Sequence, residues 1–211
     1  MSLIPHPWKP DRPQQHWQQL WRTREPAGEP LLVLIDRGDP PPRPPKVLQR
    51  LLSPEEVARM GRFHQAADRE RYLLGRGTLR LLLGAFLERE PSRIKLGTTA
   101  KGKPVLVGNG SIQFNLSHSG ELVLLGFHRN REVGVDVEQL RPELEWEPIA
   151  RRCLPPEQVA TIRNTPPARQ GAIFLDGWCR LEAVLKARGI GLFGLDGPDA
   201  EPGSGLSLIH I

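Results

Sequence analysis

Val133-Gly134-Val135-Asp136-Val137-Glu138 is the stretch on which the reading of this 211-residue chain turns. Side chains alternate between the two faces of a strand, so the three valines separate from Gly134, Asp136 and Glu138. The valines are directed to a core, and both carboxylates point the other way. Alone, such an Asp-x-Glu pair is ordinarily the polar side of a half-buried strand. Glu182 follows 44 residues after Glu138, inside Trp178-Cys179-Arg180-Leu181-Glu182-Ala183-Val184-Leu185-Lys186. At 100° per residue a helix brings Trp178, Glu182 and Lys186 within about 80° of one another. Glu182 and Lys186 also have a plain explanation, an i,i+4 helix pair worth about 0.2–0.5 kcal/mol. Together, three acids that could share one divalent metal are set out with a lysine beside them.

Upstream of the valine strand, Glu121 to Phe127 reads as a strand that Asn130-Arg131-Glu132 turns toward it. Phe114-Asn115-Leu116-Ser117-His118-Ser119-Gly120 reads as a polar turn, and Thr99 to Leu106 as a turn leading into an extended segment. Lys103, Ser117 and His118 are thereby placed where they could contact an anion beside a metal. A lone histidine such as His118 is more often an ordinary hydrogen-bonded surface residue. From Asp68 to Glu88, Tyr72, Leu79, Leu82, Leu83 and Phe86 recur at helical spacing, which gives a core helix with an arginine-rich outer side. Ser53-Pro54-Glu55-Glu56 starts a helix with Ser53 as N-cap, Pro54 at the first position and Glu56 closing a capping box. That helix is expected to run to about Gln65, with Val57, Met60 and Phe63 inward. Leu31 to Ile35 reads as a buried strand, Asp36-Arg37-Gly38-Asp39 as a turn and Pro40 to Pro45 as a stiff connector. Residues 1–28, with Trp8, Trp17 and Trp21 but no clear periodicity, read as an extension.

Composition bounds the function classes. The chain is long enough to build a core without disulfides. Cys153 and Cys179 give neither a disulfide framework nor a metal-ligand spacing, so both read as free thiols in a reducing compartment. The N-terminus lacks the pattern of a secretory signal, and the longest apolar runs are too short to span a bilayer. A cytoplasmic location without membrane attachment is the expectation. Residues 1–131 carry 21 Lys+Arg against 12 Asp+Glu, a net +9, while residues 132–211 carry 8 against 12, a net −4. A basic half facing an acidic half suits a phosphate-rich ligand meeting a metal held by carboxylates, though scattered solvated charge explains the same totals.

The order of these motifs resembles that of the 4′-phosphopantetheinyl transferases of the surfactin-synthetase-activating type. The pieces are Leu51-Leu52-Ser53-Pro54-Glu55-Glu56 with Arg59 and Arg62-Phe63, Gly102-Lys103-Pro104, Phe114 to Ser119, Gly134 to Glu138, and Trp178 to Lys186 with Gly189-Ile190-Gly191-Leu192. The resemblance implies an α+β fold of two similar, pseudo-twofold-related subdomains: an N-terminal one over residues 29–131 and a C-terminal one over 132–211. It implies transfer of the phosphopantetheine arm of coenzyme A to a serine of an acyl or peptidyl carrier protein, releasing adenosine 3′,5′-bisphosphate. By the same resemblance Asp136, Glu138 and Glu182 hold Mg²⁺, with Glu182 either ligand or base. Lys186 and His118 bind pyrophosphate or the 3′-phosphate, Ser117 and Lys103 add nucleotide contacts, and Arg59 or Arg62 takes the 3′-phosphate. Catalysis falls to Glu182, Lys186, Asp136 and His118.

The expected partner is an acidic carrier protein steered by the basic half, with solvent-facing Arg69, Arg76 and Arg80 as contacts. The chain is expected to act as a monomer and not on nucleic acid. Two departures stand out: Leu181 occupies the place before the glutamate where the family usually has lysine, and the chain ends in a loop-like stretch, residues 197–205, and an adapter-like Leu206-Ser207-Leu208-Ile209-His210-Ile211. A second subdomain cut short is therefore expected. The competing readings are a non-catalytic nucleotide or nucleic-acid binding module and an inactive fragment of the transferase; few aromatics interleave the basic residues, which disfavours the module.

Overall fold

The valine strand opens the second half of an α+β chain. The computed structural model describes residues 4–9, 12–24, 28–38, 45–108, 111–190 and, for the backbone, 207–210. In chain order its elements are β1 (His6–Pro7), α1 (Gln14–Arg24), β2 (Leu31–Asp36), α2 (Lys46–Gln49), α3 (Pro54–Gly61) and α4 (Ala66–Leu87). A short 3-10 turn, Pro91–Arg93, leads to β3 (Leu96–Thr98), β4 (Pro104–Leu106), β5 (Ile112–Ser119), β6 (Leu122–Arg129) and β7 (Val133–Asp136). Then come α5 (Trp146–Cys153), α6 (Pro156–Arg163), α7 (Pro167–Arg188) and β8 (Ser207–His210).

One sheet has the order β1-β2-β6-β5, with β6 antiparallel to both of its neighbours and β1 parallel to β2. Its two faces are covered by different partners. Leu31, Val33 and Ile35 of β2 join Val123, Leu125 and Phe127 of β6 against Leu79, Leu82, Leu83 and Phe86 of α4. Leu32 and Leu124 point to the opposite face and meet Val133, Val135 and Val137. The continuous apolar run of β2 is thus explained by burial on both faces. Burying each of these large side chains contributes about 1.5–3 kcal/mol, which makes the α4 face the main source of stability. Beyond the valine layer lies α7, and β7 pairs in parallel with β8. The layers run from α1 and α4 through the sheet and β7 to α7.

Several expectations need correction. Residues 1–28 are not merely appended: β1 extends the sheet, and Trp17 and Trp21 enter the main core, where Trp21 stacks on Phe86 with ring centroids 4.6 Å apart. Phe114 to Ser119 is not a turn but most of β5; Ile112, Phe114 and Leu116 pack on the core, and the residues between them form a second, polar face. The helix begun at Ser53 has the expected capping box but stops at Gly61, and Val57 is exposed rather than inward. Arg80 does not face solvent; it is buried and paired with Glu56. Residues 40–44, 191–192 and 197–205 lie outside the described residues. Within the last hexapeptide, Ser207–His210 forms β8, paired in parallel with β7. Among the described residues, no helix is long and apolar enough to cross a membrane.

Candidate active site

The polar face of β5 holds the valine strand by side chains. Asn115 Oδ1 accepts from the Val135 N–H at 3.1 Å, and the Ser117 hydroxyl donates to Asp136 Oδ1 at 2.7 Å. The Ser119 hydroxyl donates to Glu138 Oε2 at 2.7 Å and accepts from the Gln139 N–H at 3.1 Å. Residues i, i+2 and i+4 of one strand thus form three rungs onto the next, as a period of two requires. Both carboxylates leave the valine layer as the alternation dictates, yet Asp136, 1% exposed, faces protein, not water, while Glu138 is half-buried.

Helix α7 closes the other side. A Cβ on Gly134 would lie 1.9 Å from the Ala183 carbonyl oxygen and 2.6 Å from the Ala187 nitrogen, so only glycine lets the helix backbone rest on the strand. At that distance Lys186 reaches across: its ammonium donates to Asp136 Oδ1 and, at 3.0 Å, to Ser117 Oγ. It serves the strand rather than an i,i+4 pair with Glu182. Leu181 packs with Trp178 against the α5–α6–α7 apolar cluster, and Arg180 pairs with exposed Asp176, so neither brings charge to the site. Cys179 is buried beside Asp136; burial, then the Asp136 charge, push its thiol well above the usual range and keep it neutral.

The three acids are neighbours without forming a closed ligand set. Burial raises the Glu182 pKa above the ordinary carboxylate value, Lys186 opposes this, and the Asp136 and Glu138 charges add to it. Among the described residues, no three His, Cys, Asp or Glu side chains converge on one metal position. Glu138 is turned to Ser119, and Asp136 Oδ1 is taken by Ser117 and Lys186. Asp136 Oδ2, however, is buried with no hydrogen-bond partner. An orphaned carboxylate oxygen beside a second acid that resists ionisation is the donor set a hard divalent cation satisfies. The residues present therefore fit such an ion.

On the other face of β5 a cavity of about 270 Å³ is lined by Arg59, Asp68, Arg71, Tyr72, Arg76 and His118, among others. The guanidiniums of Arg59 and Arg76 lie 5.8 and 5.9 Å from the centre of the Tyr72 ring. Neither is in an ion pair with a described carboxylate. Arg62 is not among the residues lining this cavity; it borders a shallower depression with Glu55, Arg59 and Phe63. His118 sits at the exposed rim, its pKa lowered first by desolvation and then by the Arg71 and Lys186 charges. Lys103 donates to the Ala187 carbonyl, capping the end of α7, where a cation suits the helix dipole. Burial lowers its pKa. It lines a second cavity of about 240 Å³ with Lys101, Lys186 and Gly189, which shares Pro104, Asn115 and Leu116 with the first.

The structure thus brings Ser117, Asp136, Glu138, Glu182 and Lys186 together, and Arg59 with His118, while Arg62 borders an adjoining depression that shares Arg59 and Phe63 with the cavity. Tyr72 and Arg76 were not expected to line this cavity with Arg59, although their i,i+4 spacing would have paired them. Nor were the clamping roles of Asn115 and Ser119 expected, though the alternation from Ile112 to Ser119 signals them.

Comparison with known proteins shows the family. Residues 39–129 match the 4′-phosphopantetheinyl transferase N-terminal family, and residues 132–202 match the 4′-phosphopantetheinyl transferase superfamily. The chain is 34% identical over 201 residues to the 4′-phosphopantetheinyl transferase HetI of Nostoc sp., covering 92% of this chain and 79% of that protein. It is 33% identical over 146 residues to AcpT of Escherichia coli, covering 69% and 71%, and 33% identical over 146 residues to psf-1 of Bacillus pumilus, covering 69% and 61%. It spans between 50% and 60% of the length of several other relatives. On these grounds the chain belongs to the 4′-phosphopantetheinyl transferase superfamily.

Proposed function

We propose that this chain transfers the 4′-phosphopantetheine arm of coenzyme A to a serine hydroxyl of an apo acyl or peptidyl carrier protein, as a holo-carrier-protein synthase of the surfactin-synthetase-activating type. The observation that carries the reading is the buried Asp136 carboxylate, one oxygen held by Ser117 and Lys186 and the other unpartnered, across β5 from an arginine-lined cavity. Arg59 and Arg76 suit the 3′-phosphate of the nucleotide, and His118 at the rim suits the same phosphate. The shared wall of Pro104, Asn115 and Leu116 leads from there to Lys186, which suits the pyrophosphate.

The reaction joins the serine oxygen to the β-phosphorus of coenzyme A and breaks its bond to the bridging oxygen, whose electron pair leaves on adenosine 3′,5′-bisphosphate. Charge neutralisation is the chief demand, because a hydroxyl must approach a dianionic pyrophosphate. Lys186, anchored by Asp136 and Ser117, steadies the leaving phosphate. Glu182, made more basic by burial and by the adjacent carboxylates, is suited to accept the serine proton. Asp136, Glu138 and Glu182 would hold Mg²⁺, which when bound supplies positive charge to the pyrophosphate oxygens. Since one chain provides both the cavity and the acids, the reading needs only a monomer.

The test is to incubate the chain with coenzyme A, Mg²⁺ and an apo carrier protein and to measure the carrier's intact mass. A gain of one phosphopantetheine, abolished by chelation of the metal, is expected. Absence of any gain across fatty-acid, polyketide and peptide carrier proteins would sink the proposal.

A further inference from the structure

The helix that carries Arg59 has no hydrophobic seat. No residue of α3 is buried, whereas α4 beneath it buries half its length. What holds α3 is a stripe of α4 formed by Tyr72, Arg76 and Arg80, residues at i, i+4 and i+8 that share one helix face. At one end of the stripe the Tyr72 ring meets Phe63, with centroids 5.4 Å apart, and lies under the Arg59 guanidinium. At the other end Arg80 Nε donates to Glu56 Oε2 at 2.7 Å, and Arg80 Nη1 donates to the Ile94 carbonyl at 2.7 Å. The same Glu56 oxygen accepts from the Ser53 N–H at 3.0 Å as one arm of the capping box. A single carboxylate oxygen therefore both caps α3 and ties its first turn to the middle of α4.

The pair is well shielded, with side-chain exposures of 3% for Arg80 and 11% for Glu56. A buried ion pair gives little net stability compared with apolar residues of similar volume. What this one supplies is placement: a charged, directional contact at one end of a two-turn helix fixes the position of the arginine one turn further on.

We propose that Arg80 and Glu56 are positioning residues of the anion cavity: they set where α3 holds Arg59 opposite Arg76, and so govern affinity for the phosphate end of the nucleotide without touching it. This rests on reading that cavity as the nucleotide-phosphate site. Glu56→Gln keeps an acceptor for the Ser53 N–H but removes the charge that faces Arg80. Arg80→Lys keeps the charge but replaces the two separately placed donors, Nε on Glu56 and Nη1 on Ile94, with a single ammonium nitrogen.

The experiment measures binding of adenosine 3′,5′-bisphosphate by calorimetry and the KM and kcat for coenzyme A. Both variants are expected to weaken binding and raise KM by about tenfold, with kcat within about twofold. In an Arg59→Ala background Glu56→Gln is expected to cause no further loss, because its effect passes through Arg59. Losses that multiply in that background overturn the proposal. Tyr72 is the chain's only tyrosine, so 3-fluorotyrosine labelling gives one fluorine resonance at the seat of α3. Each variant is expected to shift that resonance without any ligand, and an unmoved resonance overturns the positioning claim. If the parent protein binds no nucleotide while the resonance shifts, the reading of the cavity falls and the anchoring stands. Glu56→Gln combined with Arg80→Met, which leaves no unpaired buried cation, takes the same measurements should a single variant fail to fold.

Discussion

Helix α4 meets its sheet through Leu79, Leu82, Leu83 and Phe86, whereas α7 meets β7 through Ala183 and Ala187 laid over Gly134. Both helices have 22 residues, but the spacing between a helix and its partner is set by the side chains at the contact. Large apolar side chains hold α4 away from the strands and fill the gap with core. Small ones let the α7 backbone touch the strand, so that Lys186 reaches a buried carboxylate. The first half converts volume into stability; the second gives up buried area to bring charged groups together. Function should therefore be most sensitive to change along the α7 contact, where backbone rests on backbone and added volume has nowhere to go.

The sharpest break of that asymmetry is electrostatic. Asp136→Asn keeps the shape of the side chain but removes the charge that orients Lys186, and Glu182→Gln removes the basic group beside it. Each is expected to lower the rate of transfer to a carrier protein by about a thousandfold or more, on the order of 4 kcal/mol in the barrier. Lys186 is 30% exposed at the side chain and can return to solvent, so circular dichroism should report an intact fold. Asp136→Asn with a rate within tenfold of the parent would contradict the assignment.

A steric pair tests the same contrast. In Gly134→Ala the new methyl lies 1.9 Å from backbone oxygen, so helix and strand must separate. A loss of about 3 kcal/mol is expected, with a Tm lower by about 6–12 °C. The displacement of Lys186 should cost about a further hundredfold in rate. Gly75→Ala, in α4, places its methyl 3.0 Å from Leu116 Cδ1, the end of a flexible side chain. Strain there is offset by the about 1 kcal/mol that alanine gains over glycine in a helix, and the net change should stay within about 1 kcal/mol. Equal Tm shifts in the two variants, read by scanning calorimetry, would show that the α7 contact is no tighter than that of α4.

The same contrast explains what could be read from the sequence. Helix α4 announces itself through apolar periodicity, and the valine alternation of β7 correctly sends Val133, Val135 and Val137 to the core. The capping box at Ser53 and Glu56 is equally legible because it is local. By contrast β5 carries polar residues at every second position, which reads as a turn until the strand it clamps is known. Solvent is not what those residues face; Asn115, Ser117 and Ser119 spend their polarity on β7. Arg80 misleads for the same reason, since charge on a helix suggests exposure and only the fold reveals Glu56 opposite it. Residues 14–24 show little periodicity because α1 reaches the core through Trp17 and Trp21, one turn apart, with Leu20 beside them. Side chains that satisfy one another across elements look in the sequence like side chains that face water.

The smallest expected effect lies on the α4 side, at His118. Desolvation, then the positive charges of Arg71 and Lys186, lower its pKa, so the imidazole is mainly neutral near pH 7 in the free protein. A bound phosphate supplies the opposite charge and favours the imidazolium, which raises the pKa in the complex. Binding therefore takes up a proton between the free and bound pKa values, and affinity falls as pH rises through that window. Calorimetry of adenosine 3′,5′-bisphosphate in buffers of different ionisation enthalpy measures the uptake directly. His118→Ala is expected to remove the part of the uptake that is not the phosphate's own and to weaken binding about threefold at pH 6, with less effect at pH 8. Equal proton uptake in parent and variant would place His118 outside the anion site and leave the cavity to its arginines.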